Sequence, residues 1–336
     1  MTTQTKDPTM RPLPALLGVL TAGTLAATLL TAPASAAPPT HLVPAKLPRG
    51  ADVTIPHLDG KTIVDGTVRI RVSAPTVVLL GTSGTSYVVG TADRAGAHGR
   101  FFRIAPDGTR TPLGRGEVYL TELSGDSQNL VSARIHGRTT KVKVWSATTG
   151  ATVATRTFRG YSTVLDADGT RVLVGGEHRT RLWHTGTGVV GVVSRTAGYA
   201  ADLSADVFAA YTGDPYRDGC SVVRRISTGD LLWRSCRERV QVFNADGSRM
   251  ATVDLLSDGI GPGYVAMRAI TGHKLGSYTV NKGWFGAITF ETPAALLLEA
   301  NGARKTAMVR CTDAGCERAS ALRATVSPRT SGGPVV

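Results

Sequence analysis

The sequence predicts an all-β protein built as a single β-propeller of four-stranded blades. Three observations predict it: a unit recurring about every forty residues, two hairpins within each unit, and β-branched residues alternating with charged ones.

The repeat is read from its turns. Gly108, Gly150, Gly188, Gly229, Gly272 and Gly315 close six similar hairpins, at successive spacings of 42, 38, 41, 43 and 43 residues. Tight hairpins need a positive φ at one position, which glycine adopts without steric penalty. Each of these hairpins follows another with a small polar or glycine tip, plainest in VLDADGTRVLVGG (Val164 to Gly176) and VFNADGSRMATVD (Val242 to Asp254). Two hairpins make four strands, and four strands at this period make a blade.

The strands announce themselves independently. Val142 and Val144 alternate with Lys141 and Lys143, and Val68, Ile70 and Val72 alternate with Arg69 and Arg71. Such alternation marks strands with one face buried. Six units are complete, from about Pro75 to Val326. Gly66, in TIVDGTVRIRV, lies a further 42 residues before Gly108 and points to a seventh. Seven blades are expected, with six as the alternative count, and the N-terminal strands are expected to help close the ring, since closure removes sheet edges.

The N-terminus reads as an address. Lys6 and Arg11 precede an apolar stretch from Ala15 to Leu30, and Pro33 leads into Ala34-Ser35-Ala36. That order is the signature of a secretory signal peptide, with cleavage expected after Ala36. The expected organisation is a signal peptide at 1–36, a Pro-rich extended leader at 37–50, the propeller at 51–327 and a flexible C-terminal tail at 328–336. No second apolar run reaches membrane-spanning length, so the mature chain is expected outside the cytoplasm with no membrane span.

Composition bounds the partners. The net charge is +13, carried by 38 basic residues against 25 acidic ones, and the basic residues are scattered along the chain. Eight of the 38 are Lys and the rest Arg. Such a field attracts polyanions, although abundant Arg, Ala, Gly and Val also follow from codon bias. Aromatic residues make up 6%, so small and branched side chains must fill the core.

The four cysteines carry the sharpest local signal. Cys220 and Cys236 lie eight residues either side of Thr228, beside Gly229, and Cys311 and Cys316 flank the turn that contains Gly315. Residues equidistant from a hairpin turn face each other at a separation a disulfide can bridge. The pairs 220–236 and 311–316 are therefore expected, in an oxidising compartment.

VKVWSATTG and TRLWHTGTG resemble the third strand and turn of WD40-type repeats and of YVTN-like and quinoprotein-like bacterial propellers. Trp145 and Trp183 stand in the matching place, five residues before Gly150 and Gly188. WD40 repeats carry Asp after that Trp, where Ser146 and His184 stand here. No Gly-His pair sits at the family's upstream position. Both Trp residues are expected to pack between blades.

No motif commits the chain to catalysis, a cofactor or a metal. SGDSQ around Ser127 and the acidic turn at Asp166 and Asp168 both fall where a first-hairpin turn belongs. Glu177-His178 reads as a charged loop. One basic cluster gathers in the hairpin region of Cys220 and Cys236, namely Arg224, Arg225, Arg234, Arg237 and Arg239. It suits anion contacts, or protection of an outer blade edge. The functional expectation is a secreted, non-catalytic binding module whose partner is a protein or an anionic envelope polymer, without specific nucleic-acid recognition. The alternative is a propeller enzyme with its site at the mouth of the central channel. The sequence leaves enzyme activity and oligomeric state open.

Overall fold

The computed structural model describes residues 38–326, and they form seven antiparallel sheets arranged as a seven-bladed β-propeller. The expected signal peptide (1–36) and C-terminal tail (328–336) lie outside the described residues. No helix among the described residues is long and apolar enough to cross a membrane.

Strands are lettered A to D in chain order within each blade, from the channel outward. Blade 2 comprises Thr76–Ser83, Ser86–Ala92, Arg100–Ile104 and Arg110–Arg115. Blade 3 comprises Thr121–Leu123, Asn129–His136, Thr139–Ser146 and Thr152–Arg159. Blades 4 to 7 begin at Ser162, Ala197, Glu238 and Trp284 and repeat the same A-B-C-D order. Blade 1 has three strands, His57–Asp59, Thr62–Asp65 and Val68–Arg71. Gly66 turns between the last two, the place that Gly108 and its equivalents hold between C and D, so the strand blade 1 lacks is the inner one. All seven of these glycines have positive φ, from 55° at Gly66 to 131° at Gly315.

Period-two alternation gives every blade two buried faces, and the blades pack through them. Val131, Ala133, Val142 and Val144 of blade 3 meet Val164, Val172 and Val174 of blade 4. The tryptophans sit between blades, as expected: Trp145 is T-shaped against Phe101 at 5.8 Å and Trp183 against Phe158 at 6.3 Å. The innermost strands of blades 2, 4, 5, 6 and 7 each carry a register shift against their neighbour, as between Val164 and Asp166. A bulge adds local twist, which strands crowded around an axis require.

The Pro-rich segment is part of the fold, with a strand at Thr40–Leu42 and a 3-10 turn at Pro44–Lys46. Thr40–Leu42 adds a parallel strand to Tyr278–Val280 on the outer edge of blade 6, and Leu42 is fully buried. Burying that side chain contributes about 2 kcal/mol. The chain then crosses blade 7, where Gly50 N–H donates to Arg318 O at 3.0 Å and Val53 N–H to Ala319 O at 3.1 Å, before entering blade 1. This strap closes the ring. The apolar cluster at that seam contains only Val53, Leu297 and Ala319 as buried members, with Ile55 and Met308 beside them. Arg310 supplies the rest: it donates to Ala51 O and Asp52 O of the strap, at 3.1 and 3.0 Å, and pairs with Glu291 and Glu317.

Candidate functional site

Strand direction alternates within a blade, so the D-to-A connections and the B–C turns share one end of the ring. At this end blades 2 and 3 part. Their common core, with Val88, Phe101, Leu113, Leu130 and Trp145, fills one part of the interface. Past it the lining of the gap changes from apolar to cationic residues.

The change is written in the strand alternation. Ser132 and Arg134 on strand B, and Lys141, Lys143 and Trp145 on strand C, share one face of blade 3, because residues two apart on a strand point the same way. In register, Leu130 opposes Trp145, Ser132 opposes Lys143, and Arg134 opposes Lys141. That face therefore runs from buried indole to paired cations. Arg100 and Arg115 of blade 2, directly opposed across strands C and D, join the lining from the blade's edge, since their neighbours Phe101 and Gly114 hold the positions that face blade 3. The result is a groove of about 510 Å³ whose walls carry Arg100, Arg115, Arg134, Lys141 and Lys143. Glu117 is the one carboxylate on its lining.

None of these five cationic side chains donates a hydrogen bond to, or forms an ion pair with, another group among the described residues; the single contact is Lys143 Nζ, 5.2 Å from the Trp145 ring centroid. Several guanidinium groups elsewhere are engaged, as at Arg249 with Asp313, Arg268 with Glu238 and Arg310 with Glu291, while scattered ones such as Arg94, Arg138 and Arg195 are not, among the described residues; the groove differs in gathering five such cations together. Like charges directly opposed across strands destabilise a sheet, and the groove contains two such pairs. The rim is set by the B–C loop of blade 2. There Asp93 accepts hydrogen bonds from Ala95 N, Ala97 N and His98 Nδ1, each at 2.9 Å, and the His98 bond leads in holding the Asp93 carboxyl below its ordinary range.

The arginine cluster expected from the sequence is dispersed. Arg224 and Arg225 are adjacent on one strand and point to opposite faces of blade 5. Arg224 donates to Gly229 O at 2.8 Å, Arg225 to Ala205 O at 3.1 Å, and Arg239 to Ser257 O at 3.2 Å. Arg234 lies 3.5 Å from Cys220 Sγ, and Arg237 is exposed in the connection to blade 6. Their polar atoms hold loops in place. Both disulfides are formed, Cys220–Cys236 and Cys311–Cys316. Cys220 ends the B–C loop of blade 5 and Cys236 begins the link to blade 6, so this bridge braces the same end of the ring as the groove.

The channel wall holds the perturbed acids. Burial pushes the Glu122 carboxyl up to about 8, with the Asp166 charge adding to it, and burial pushes Asp166 up to about 6. Asp166 is occupied structurally: its two oxygens accept from Ala167 N at 2.8 Å and from Leu203 N of the next blade at 2.5 Å. Ser127 lies in the A–B turn of blade 3 at φ 60°, and Asp168 pairs with Arg171, so both sequence candidates serve turns. Glu177-His178 is the exposed B–C turn of blade 4.

The buried indole N–H groups of Trp145 and Trp183 find no hydrogen-bond partner. No protein-family model matches the chain, and no curated protein matches it by sequence. Solved structures do. The β-propeller domain of the Trilobed protease from Pyrococcus furiosus, described as having an open velcro topology, aligns at TM-score 0.59 and 10% identity, covering 80% of this chain and 88% of that one. A chain of the Mitotic Checkpoint Complex aligns at 0.54 and 11% identity, covering 90% of each. The WD40 domain of Toxoplasma gondii coronin aligns at 0.48 and 13% identity, covering 72% and 69%. At such identities the likeness speaks for the fold alone.

Proposed function

We propose that this propeller is an exported, non-catalytic binding module that holds an anionic partner in the groove between blades 2 and 3. The observation that carries the proposal is the set of five cationic side chains that form no ion pair among the described residues, with Glu117 the one carboxylate beside them. Keeping Arg100 beside Arg115 and Arg134 beside Lys141 costs stability, and a ligand that supplies the missing anions offsets that cost when bound. The ring supports this role, because a rigid scaffold presents connecting loops with little ordering cost on binding. Two disulfides fit an oxidising compartment, and the signature ending at Ala36 supports export.

The test is retention on an immobilised polyanion across a salt gradient. Arg134→Glu with Lys141→Glu should elute at markedly lower salt than Lys61→Glu with Arg69→Glu, which makes the same charge change on blade 1. Equal elution would leave only the net field and remove the groove from the account. Export has its own check: protein recovered from the medium should begin at Ala37, and an intact N-terminus there would defeat that part.

A further inference from the structure

We infer that the ligand of the groove is an extended acidic peptide segment, an inference that rests on the anion-binding role proposed above. Four features choose a peptide over other polyanions. First, the groove offers little to stack on: Trp145 is 1% exposed with the Lys143 ammonium over it, and its one exposed ring, the His98 imidazole at the rim, is engaged by Asp93 at 2.9 Å. Single-stranded nucleic acid gains much of its affinity from base stacking, and an apolar sugar face seeks the same platform. Second, the cations recur at a strand's own interval. Lys141 and Lys143 are two residues apart on one face, a separation of roughly 7 Å, which is also the interval between same-side carboxylates of an extended peptide. Third, the walls are of mixed sign. Glu117 stands among the cations, so a chain of uniform negative charge meets repulsion there, whereas a peptide can set a basic side chain or an amide N–H against it. Fourth, Ser132 lies on the same face with a hydroxyl that makes no hydrogen bond among the described residues, and it can meet a peptide backbone.

The three arginines give the selectivity its chemical basis. A guanidinium presents paired N–H donors that fit a carboxylate in two parallel bonds; Arg134 offers them from the blade 3 wall, and Arg100 and Arg115 line the groove at the blade 2 edge. The acidic segment would lie between the blades, with alternate side chains turned to blade 3 and the others to blade 2.

The experiment measures binding of a labelled peptide of alternating Glu and Ser by fluorescence anisotropy, in competition with polyphosphate, a heparin fragment and oligothymidine matched for charge. The full-length secreted protein is used, together with Lys141→Glu, Arg115→Glu and the blade 1 control Arg69→Glu. The peptide should bind at low salt and outcompete the other three polyanions. Both groove variants should weaken it about tenfold or more, with the control within about twofold. The melting temperature of Lys141→Glu should be no lower than that of the unchanged protein, which separates lost binding from lost fold. If polyphosphate, heparin or oligothymidine displaces the peptide and shows the same loss in both groove variants, the peptide assignment is overturned while the anion-binding groove stands. If no probe, the peptide included, loses more affinity in the groove variants than in the control, the groove role falls as well.

Discussion

Lys141 illustrates how one side chain can be set against the sheet that carries it. It lies directly opposite Arg134, and replacing it with Glu turns a repulsive pair into an attractive one. Cross-strand charge pairs are worth about 0.2–1 kcal/mol, so the melting temperature of Lys141→Glu should rise by about 1 °C while affinity for polyanions falls. A scanning calorimeter and a binding titration on the same sample check this, and a fall in both would mean that the lysine serves folding. Glu122 makes a second single-residue case, with the opposite sign of charge. Its folded-state value is raised from 4.5 to about 8, so the folded protein holds this proton more tightly than the unfolded chain does. Linkage then gives a stability that is greatest below about pH 4.5 and falls as pH rises toward 8. Asp166, raised from 3.8 to about 6, acts in the same direction over a lower window. Glu122→Gln should therefore stabilise the protein by about 1–4 kcal/mol at pH 8, toward the lower end where channel water screens the carboxylate, and by little at pH 4. Denaturant midpoints at the two pH values decide it.

At the scale of strands and hairpins, the two disulfides differ in what they close. Cys220–Cys236 spans a sequence separation of 16 and Cys311–Cys316 one of 5. Loop entropy gives the longer closure about 3 kcal/mol and the shorter one less. Cys220→Ser with Cys236→Ser should accordingly lower stability more than Cys311→Ser with Cys316→Ser, measured by urea unfolding; the reverse order would show that local packing outweighs loop closure. Both bridges were legible in the sequence because a hairpin fixes distance from its turn, and a turn glycine marks the turn. The groove was not. Lys141 and Lys143 stood out only as the polar half of an alternating strand. What turns that half into a site is its neighbours, Arg100 and Arg115, which come from another blade and meet it only when the ring is assembled. The arginines at 224, 225, 234, 237 and 239 make the opposite case. They are close in sequence, but adjacent strand residues point apart, and most of the guanidinium groups turn to loop carbonyls. The strap was hidden for a third reason. Pro38, Pro39, Pro44 and Pro48 read as a leader ahead of the fold, but Thr40–Leu42 pairs with an edge strand, and a single such pairing leaves no periodicity to detect.

Across the whole molecule the ring is uneven, and its weak point follows from how it closes. Six blade junctions are filled by apolar clusters of at least six buried residues, while the seam between blade 7 and blade 1 has three. Blade 1 lacks an inner strand, so fewer hydrogen bonds tie it to its own sheet. The seam depends instead on Arg310, on Arg323 paired with Asp59, and on Glu291, whose carboxylate also accepts from Thr54 N at 2.6 Å and Thr54 Oγ1 at 2.9 Å. Burial alone would raise the Glu291 carboxyl, but the bonds from Arg310 and Thr54 outweigh it and hold it below 4.5. A depressed acid contributes stability above its unfolded value and loses it as pH falls through its folded one. Acid therefore undermines the seam at a pH where Glu122 and Asp166, raised to about 8 and about 6, already hold their protons and the channel wall is relaxed. The expected outcome is local opening rather than global melting below pH 4.5. Hydrogen exchange corrected for its intrinsic pH dependence should show protection lost first at Thr40–Leu42 and His57–Arg71, while Asn129–Ser146 stays protected. Glu291→Gln should bring the same pattern to neutral pH, because it leaves Arg310 with Glu317, the more exposed of its two carboxylates, as its one remaining counter-charge, a change that costs up to about 3 kcal/mol. Uniform loss of protection around the ring under either condition would mean that the seven junctions act as one cooperative unit and that the strap is not its weakest joint.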